Sequence, residues 1–435
     1  MINSIRKIKN PYIIFLPFLL FYIVFAAYSY SVNFIGDESR FVRFAENLLH
    51  GFYSPPPPNI DLLSGPGYPF ILAPLVGLHL PKVYIVILNA VMHYFSIIFL
   101  FKALLQIVSF RKTLLVSLFW ACYYVAYQNM GRIAYEPLSM LLASIFIFCI
   151  ISAFNNETGK GTKKYIYLSG FILGYLALTK VIFGPIIVVL LLIGGLLWVF
   201  NRKIANFRKL ALISVIAFAT FAPYLVYTYS LTNRAFYWGT GADNIYWMSN
   251  PNEGEYGDWK GTLDQNPVEN GNYNIPGAGD TLIARHKKNY DQIFALSGLE
   301  RDDAYSKIAV ENIKAHPGKY AQNIFYNIGR LLFHYPYSYA IQRPKSLFVM
   351  PMNGIILTFM LICIFPTLLN WRRISFPIRV LFFVALLYLG ASSLVSSETR
   401  MFTLIVPVLL AWFAYIIQQT VKLDLKFKKD ATGNS

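Results

Sequence analysis

An all-α, polytopic membrane protein is the fold class this sequence predicts, and three observations predict it. Of 435 residues, 56% are hydrophobic and only 14% are charged. The apolar residues gather into runs that approach or exceed the roughly 20 residues a helix needs to cross a bilayer core. Lys and Arg, which give the chain a net charge of +17, sit mainly in short loops on alternate sides of those runs. A water-soluble fold is excluded by this patterning. The basic excess reports sidedness and contact with anionic membrane lipids, and gives no reason to expect nucleic acid as a partner.

Reading spans by hydropathy and orientation by Lys and Arg gives 11–31 outward, 82–108 inward, 113–129 outward and 136–154 inward. Then follow 163–180 outward, 181–200 inward, 210–229 outward, 351–370 inward, 378–395 outward and 401–420 inward. That is about ten transmembrane helices with both termini cytoplasmic. The basic loops behind the orientation are "RKIK", Arg111–Lys112, Lys160 to Lys164, "NRKIANFRK", "NWRR" and the tail "KLDLKFKK". A basic start followed by a long apolar run reads as an uncleaved signal anchor. Cys122, Cys149 and Cys363 all fall inside apolar runs, so no disulfide framework is expected.

Three parts follow from the spacing of the runs. Residues 1–229 form an N-terminal transmembrane module that includes a first outer loop, 32–81. Residues 230–350 form an extracytoplasmic subdomain of loops and helices, and 351–435 hold the last spans and the basic tail. In the first loop, the apolar part of "SGPGYPFILAPLVGLHLP" is too short and proline-broken to span, so it is expected at the interface, shielded by protein. In the second, "ERDDAYSKIAVENIKAHPGKYAQNIFYNIGRLLF" reads as two amphipathic helices divided at His316–Pro317, with Pro317 in the first turn of the second.

Several charged residues stand where spans begin or end. "FIGDESRFVRFAENLLHG" puts Asp37 and Glu38 just after the first span, ahead of a helix from Phe41 onward whose apolar side is expected to lie on the membrane surface. As a plain helix cap Asp37 would contribute about 1 kcal/mol, with Glu38 a solvated first-turn acid. As a general base, Asp37 would be a fixed carboxylate beside a cavity, accepting a proton from an acceptor hydroxyl. Glu136, in "GRIAYEPLSMLL", is an acid at the mouth of a span, which suits either helix initiation with Pro137 or a cavity-facing role with a partner such as Arg132. Lys180 interrupts a nearly uncharged stretch, either snorkelling to the interface or holding an anion such as phosphate. "SSETRMFTLIVPVLL" places Glu398 and Arg400 before the last span. They form either a simple interfacial ion pair or, for Arg400, a fork for phosphate.

The six histidines are scattered without metal-ligand spacing, so no metal site is expected. No P-loop, dinucleotide fingerprint or GxSxG occurs, which leaves ATP-driven transport and serine hydrolysis without support. Tyr237, Trp238, Tyr246, Trp247 and Trp259 in the second outer segment suit sugar stacking or a packed core equally well.

The ordered set "GDESRFVRFAENLLHG", "GPGYPFILAPL", "RIAYEPLSMLL", "GYLALTK" and "ETRMFTLIVPVLL" resembles the GT-C membrane glycosyltransferases. Within them it resembles bacterial relatives of the protein O-mannosyltransferases and of the lipid A aminoarabinose transferase. The resemblance implies a GT-C type fold and transfer of a sugar from a polyprenyl-phosphate carrier to a lipid, glycan or protein acceptor. The transfer would take place on the outer face of the cytoplasmic membrane, without a nucleotide sugar. It implies catalytic roles for Asp37, Glu38 and Glu136, the last at a position often Asp in the family, and donor-phosphate binding by Lys180 and Arg400. "LLSGPGYP" lacks the acidic-basic pair of some relatives, so neither a metal site nor that phosphate contact carries over. Other function classes that suit a polytopic chain are a flippase of lipid-linked sugars and a polysaccharide polymerase or ligase.

Overall fold

The computed structural model describes residues 10–155, 160–200, 205–261, 275, 277–341 and 344–420. The basic stretch "RKIK", the tail "KLDLKFKK" and parts of the loops around 156–159 and 201–204 lie outside the described residues.

Among the described residues all regular structure is helical. The helices of seven or more residues are α1 (Leu16–Ser29), α2 (Glu38–Leu49), α3 (Gly67–Gly77), α4 (Lys82–Leu104), α5 (Phe110–Cys122), α6 (Glu136–Asn155), α7 (Lys160–Thr179) and α8 (Phe183–Phe200). Then come α9 (Ala205–Thr232), α10 (Ala242–Met248), α11 (Ala278–Ile293), α12 (Gly298–Ala315), α13 (Pro317–Phe333), α14 (Lys345–Leu369), α15 (Phe376–Ser393) and α16 (Thr399–Thr420).

Seven described helices are long and apolar enough to cross a membrane: α4, α6, α8, α9, α14, α15 and α16. The other three expected spans are shorter or more polar, each for a visible reason. The first run breaks at Phe15, where Pro17 enters the first turn of α1 without an amide proton. In the 113–129 run α5 stops at Tyr123, whose non-helical ψ of 88° is accompanied by a buried hydrogen bond from its hydroxyl to Asn353, and only the single helical turn Tyr124–Tyr127 follows. Helix α7 is 20 residues long but carries Lys163 and Lys164 near its start, which lowers its apolarity.

The bundle is centred on α6 and α16, which bury 78% and 83% of their most apolar stretches, whereas α14 buries 22% and faces outward. Helix α6 packs against α4, α7 and α16, and α7 against α9. Gly170 and Gly174 let α7 approach α9 closely, since a Cβ at either would lie 2.5–2.8 Å from atoms of that helix. Several polar groups inside the bundle are paired, which offsets the cost of placing them in hydrocarbon: Trp120 donates to Ser96, Trp412 to Thr367, and Asn89 to the Arg132 carbonyl.

Helix α2 differs from its expected seat. Its apolar side is packed on protein and not laid on a membrane surface, because aromatic partners cover it: Phe41 meets the rings of Tyr68 and Tyr135, and Phe44 that of Tyr53. Helix α3 is partly covered as expected, with Tyr68 and Leu72 buried and Phe70 half exposed. The division at His316 also appears: α12 ends at Ala315 and α13 starts at Pro317. Tyr246 and Trp247 are core residues with Leu282, Ile293 and Tyr305. Trp238 packs on Phe221, and only Trp259 is exposed, at 40%.

Candidate functional site

The site is assembled where α2, α6 and α16 begin and α7 ends. Asp37 is the residue ahead of α2, but its carboxylate makes no capping bond. It accepts instead from Arg40 Nη1 at 3.1 Å and lies 3.4 Å from Arg400 Nη2. The helix-cap account of Asp37 is therefore set aside on geometry: its oxygens face the α16 guanidinium and leave the α2 amides alone. Roughly a third of the side chain stays exposed, which leaves it open to another molecule.

Glu136 is the first residue of α6, with Pro137 behind it. Its partner is Arg400, 3.7 Å away, and not Arg132. The residue is buried and its Oε1 has no hydrogen-bond partner. A carboxylate oxygen left in that state is uncommon and costly, which is more typical of a working site than of a structural one. Glu398 completes a ring of acids, 3.0 Å from Arg400 Nε. The 3.4 and 3.7 Å separations exceed the 2.7–2.9 Å of a tight charge-assisted bond, so Arg400 is held loosely by Asp37 and Glu136.

Lys180 follows α7 in a tight turn and donates to the Tyr135 hydroxyl at 2.6 Å, with its ammonium 4.7 Å from that ring. Glu136, Arg400 and Asp37 are among the groups whose charge reaches it. Tyr135 is partly buried, and desolvation pushes its phenol above the ordinary range, with the charge of Glu136 acting in the same direction. The phenol therefore stays protonated and able to donate.

Two devices bring these pieces into register. The first is Glu38, fully buried: its carboxylate accepts from Ile35 N at 2.6 Å, Ile133 N at 2.7 Å and Lys82 Nζ at 2.7 Å. It ties the start of the first outer loop to α4 and to the non-helical run before Glu136. The second is the Gly65-Pro66-Gly67 turn, which lies on the end of α7. A Cβ on Gly65 would sit 2.0 Å from the Leu178 carbonyl, and one on Gly67 2.5 Å from Thr179 Oγ1 and 2.7 Å from its amide. Only glycine allows the first loop to press on the backbone just before Lys180.

The structure thus brings Asp37, Glu136, Lys180 and Arg400 to one end of the bundle, and gives Glu38 a buried, fully bonded setting apart from their exposed edge. Sequence reasoning passed over Tyr135, Arg40 and Lys82. Tyr135 adjoins Glu136 and Arg40 lies one turn after Asp37, so both were legible as neighbours. Nothing in the sequence pairs Lys82 with Glu38. Among the described residues no three His, Cys, Asp or Glu side chains are arranged to hold a metal ion; the three acids here surround a guanidinium. Chemically the arrangement offers an accessible carboxylate beside two cations. The first turns of α6 and α16, whose dipoles favour negative charge, lie next to it.

No family model matches the sequence, and no curated protein matches it. Solved structures are similar in fold. ArnT from Cupriavidus metallidurans, bound to undecaprenyl phosphate, is 11% identical with a TM-score of 0.42, over 93% of this chain and 77% of that one. The archaeal oligosaccharyltransferase AglB from Archaeoglobus fulgidus, in complex with an inhibitory peptide and a dolichol-phosphate, is 13% identical with a TM-score of 0.48. It is matched over 92% of this chain, which spans 50% of its length. At these values the likeness is one of helix arrangement alone. The chain itself is an all-α, multi-pass membrane protein.

Proposed function

We propose that this protein transfers a sugar from a polyprenyl-phosphate-linked donor to an acceptor nucleophile at the outer face of the cytoplasmic membrane, by direct displacement with inversion. The observation that supports the reading is the convergence of Asp37, Glu136, Lys180 and Arg400 at one end of the bundle, from stretches far apart in sequence.

The chemistry needs two things. An acceptor hydroxyl must lose its proton as its oxygen bonds to the anomeric carbon, and Asp37, partly exposed, takes that proton. As the bond from the anomeric carbon to the phosphate oxygen breaks, its electron pair leaves with the polyprenyl phosphate. Lys180 and Arg400 then stabilise the charge growing there, an effect strengthened by their low-dielectric setting. Arg400 exchanges its long contacts to Asp37 and Glu136 for the phosphate, and Glu136 orients its guanidinium. Glu38 acts in this scheme as a positioning residue. In the three-part organisation of 1–229, 230–350 and 351–435, the first and last parts supply these residues.

The test is transfer from a polyprenyl-phosphate sugar by the purified protein in liposomes. General-base loss in Asp37→Asn is expected to lower turnover by about 10²–10⁴-fold with donor binding retained. Full turnover in a folded Asp37→Asn protein removes the proposed base. Passage of the lipid-linked sugar across the bilayer with no new glycosidic bond would replace the transferase reading with transport.

A further inference from the structure

Helix α13 has its polarity turned inside out. Its fully buried side chains are Asn323, Asn327 and Arg330, with Leu331 beside them, whereas Phe325 is 75% exposed and Ile328 37%. A helix bordered by water places its apolar stripe inward. Each inward polar side chain makes hydrogen bonds to protein, though Asn323 Oδ1 and Arg330 Nε have none among the described residues. Asn323 donates to the carbonyls of Met248 and Asn250, and Arg330 to the Tyr256 carbonyl and Asn327 Oδ1. Asn327 donates to the carbonyls of Ser392, Ser393 and Val395 and accepts from Ser397 N.

Those last bonds fix where α13 lies. They grip the turn between the end of α15 and the start of α16, and Tyr320 donates to the Leu394 carbonyl in that turn. Helix α13 therefore runs across the end of the bundle, where spanning helices leave the hydrocarbon. Tyr335, just past its end, is half exposed, and Ser346 at the start of α14 donates to the His334 carbonyl, with Leu347 and Phe348 in that first turn both about two-thirds exposed. Helix α14 is the least buried of the candidate spans.

We propose that α13 is an interfacial helix whose Phe325 and Ile328 face lies in the headgroup and acyl boundary of the bilayer, so that the described helices α10 to α13 are seated on the lipid surface. A lipid surface is the occupant because α13 is bonded at its end to the start of a candidate span whose exposed residues are apolar, and its own polar side is spent inward. The same inner face holds the Ser392–Ser397 turn ahead of Arg400, so the lipid seat and the candidate site share one element. That link, unlike the lipid seat, rests on the function proposed above.

The test uses the full chain in liposomes with Cys122 replaced by Ala, leaving buried Cys149 and Cys363. Spin labels are placed at Phe325→Cys, at exposed Lys288→Cys on α11 and at Leu361→Cys within α14. Collision with oxygen and with a water-soluble nickel chelate is then measured. At Phe325 the nickel collision rate should be several-fold below that at Lys288 and the oxygen rate well above it, toward the Leu361 values. Nickel access equal to that at Lys288 overturns the proposal, as does shielding from both reagents, which would mean a protein cover. Ile328→Cys reports the same face if Phe325→Cys does not fold. No donor or acceptor enters the measurement, so it stands or falls apart from the transferase reading.

Discussion

Replacing Glu38 probes the part of the site that is built before any ligand arrives. Its carboxylate accepts from two backbone amides and from Lys82, and Lys82 is itself buried, with the Asn33 carbonyl and the rings of Tyr30 and Phe34 as its other surroundings. Glu38→Leu leaves a buried ammonium without its counter-charge and two amides without their acceptor. Breaking a buried pair from one side costs about 3–5 kcal/mol. In the double variant Glu38→Leu, Lys82→Met the uncompensated charge is gone, and what remains is the two orphaned amides, at about 1–3 kcal/mol each. The double variant is therefore expected to be no less stable than Glu38→Leu alone, with a coupling of at least about 2 kcal/mol between the sites. Unfolding in mixed detergent micelles with increasing SDS measures all four corners of the cycle. Additive single costs would refute the reasoning, because they would mean that Lys82 does not depend on Glu38. A folded Glu38→Gln protein should in addition keep the pH profile of transfer, since the proposed base is Asp37.

Further expectations follow from the same geometry. Gly67→Ala forces a Cβ against Thr179 backbone and should destabilise by about 1–3 kcal/mol, with weaker binding of polyprenyl phosphate measured by lipid titration; unchanged binding and stability would show that the loop does not set Lys180. Arg400→Lys keeps the charge but loses the planar fork, so the donor KM should rise by about tenfold or more, a loss on the order of 1.4 kcal/mol; an unchanged KM would remove Arg400 from the phosphate site. Away from the membrane, burial pushes the Glu255 carboxyl up, but the bond and charge of His286 and the bonds from Tyr339 and Asn252 outweigh it, leaving it below its ordinary 4.5. A carboxyl depressed by folding contributes stability above its ordinary value and loses it as pH falls through the folded value. Near-ultraviolet dichroism from the Trp247 region should therefore decay on acidification below about pH 4.5, and Glu255→Gln should flatten that decay; an identical acid profile would exclude Glu255 as its source. Asp243, raised by burial, has the opposite sign, so the comparison with Glu255→Gln is what isolates the effect.

The helical, multi-pass class was legible because hydrocarbon leaves a chain few ways to satisfy its backbone, and long apolar runs declare the one it takes. The charged positions at span ends were legible for a related reason: an ion there needs a partner or a cavity, so Asp37, Glu136, Lys180 and Arg400 stood out against apolar neighbours. Their partners were not. Arg132 lies close to Glu136 in sequence, yet Arg400 is the cation beside it, since which helix ends meet is set by packing between α6 and α16. The seat of α2 was misjudged because an amphipathic pattern marks an apolar face without saying whether lipid or protein covers it; Tyr68, Tyr135 and Tyr53 cover this one.

By itself the sequence determined the class of fold, the polar stretches between apolar runs and the residues too charged to be incidental, because these depend on local composition and on the thickness of a bilayer. Tertiary structure alone decided that Asp37 faces the α16 guanidinium and not the amides of its own helix, that Glu38 is spent on Lys82 and two amides, and that α13 turns its polar side inward. Each of those outcomes depends on atoms brought together from distant parts of the chain, and no pattern within a single segment encodes them.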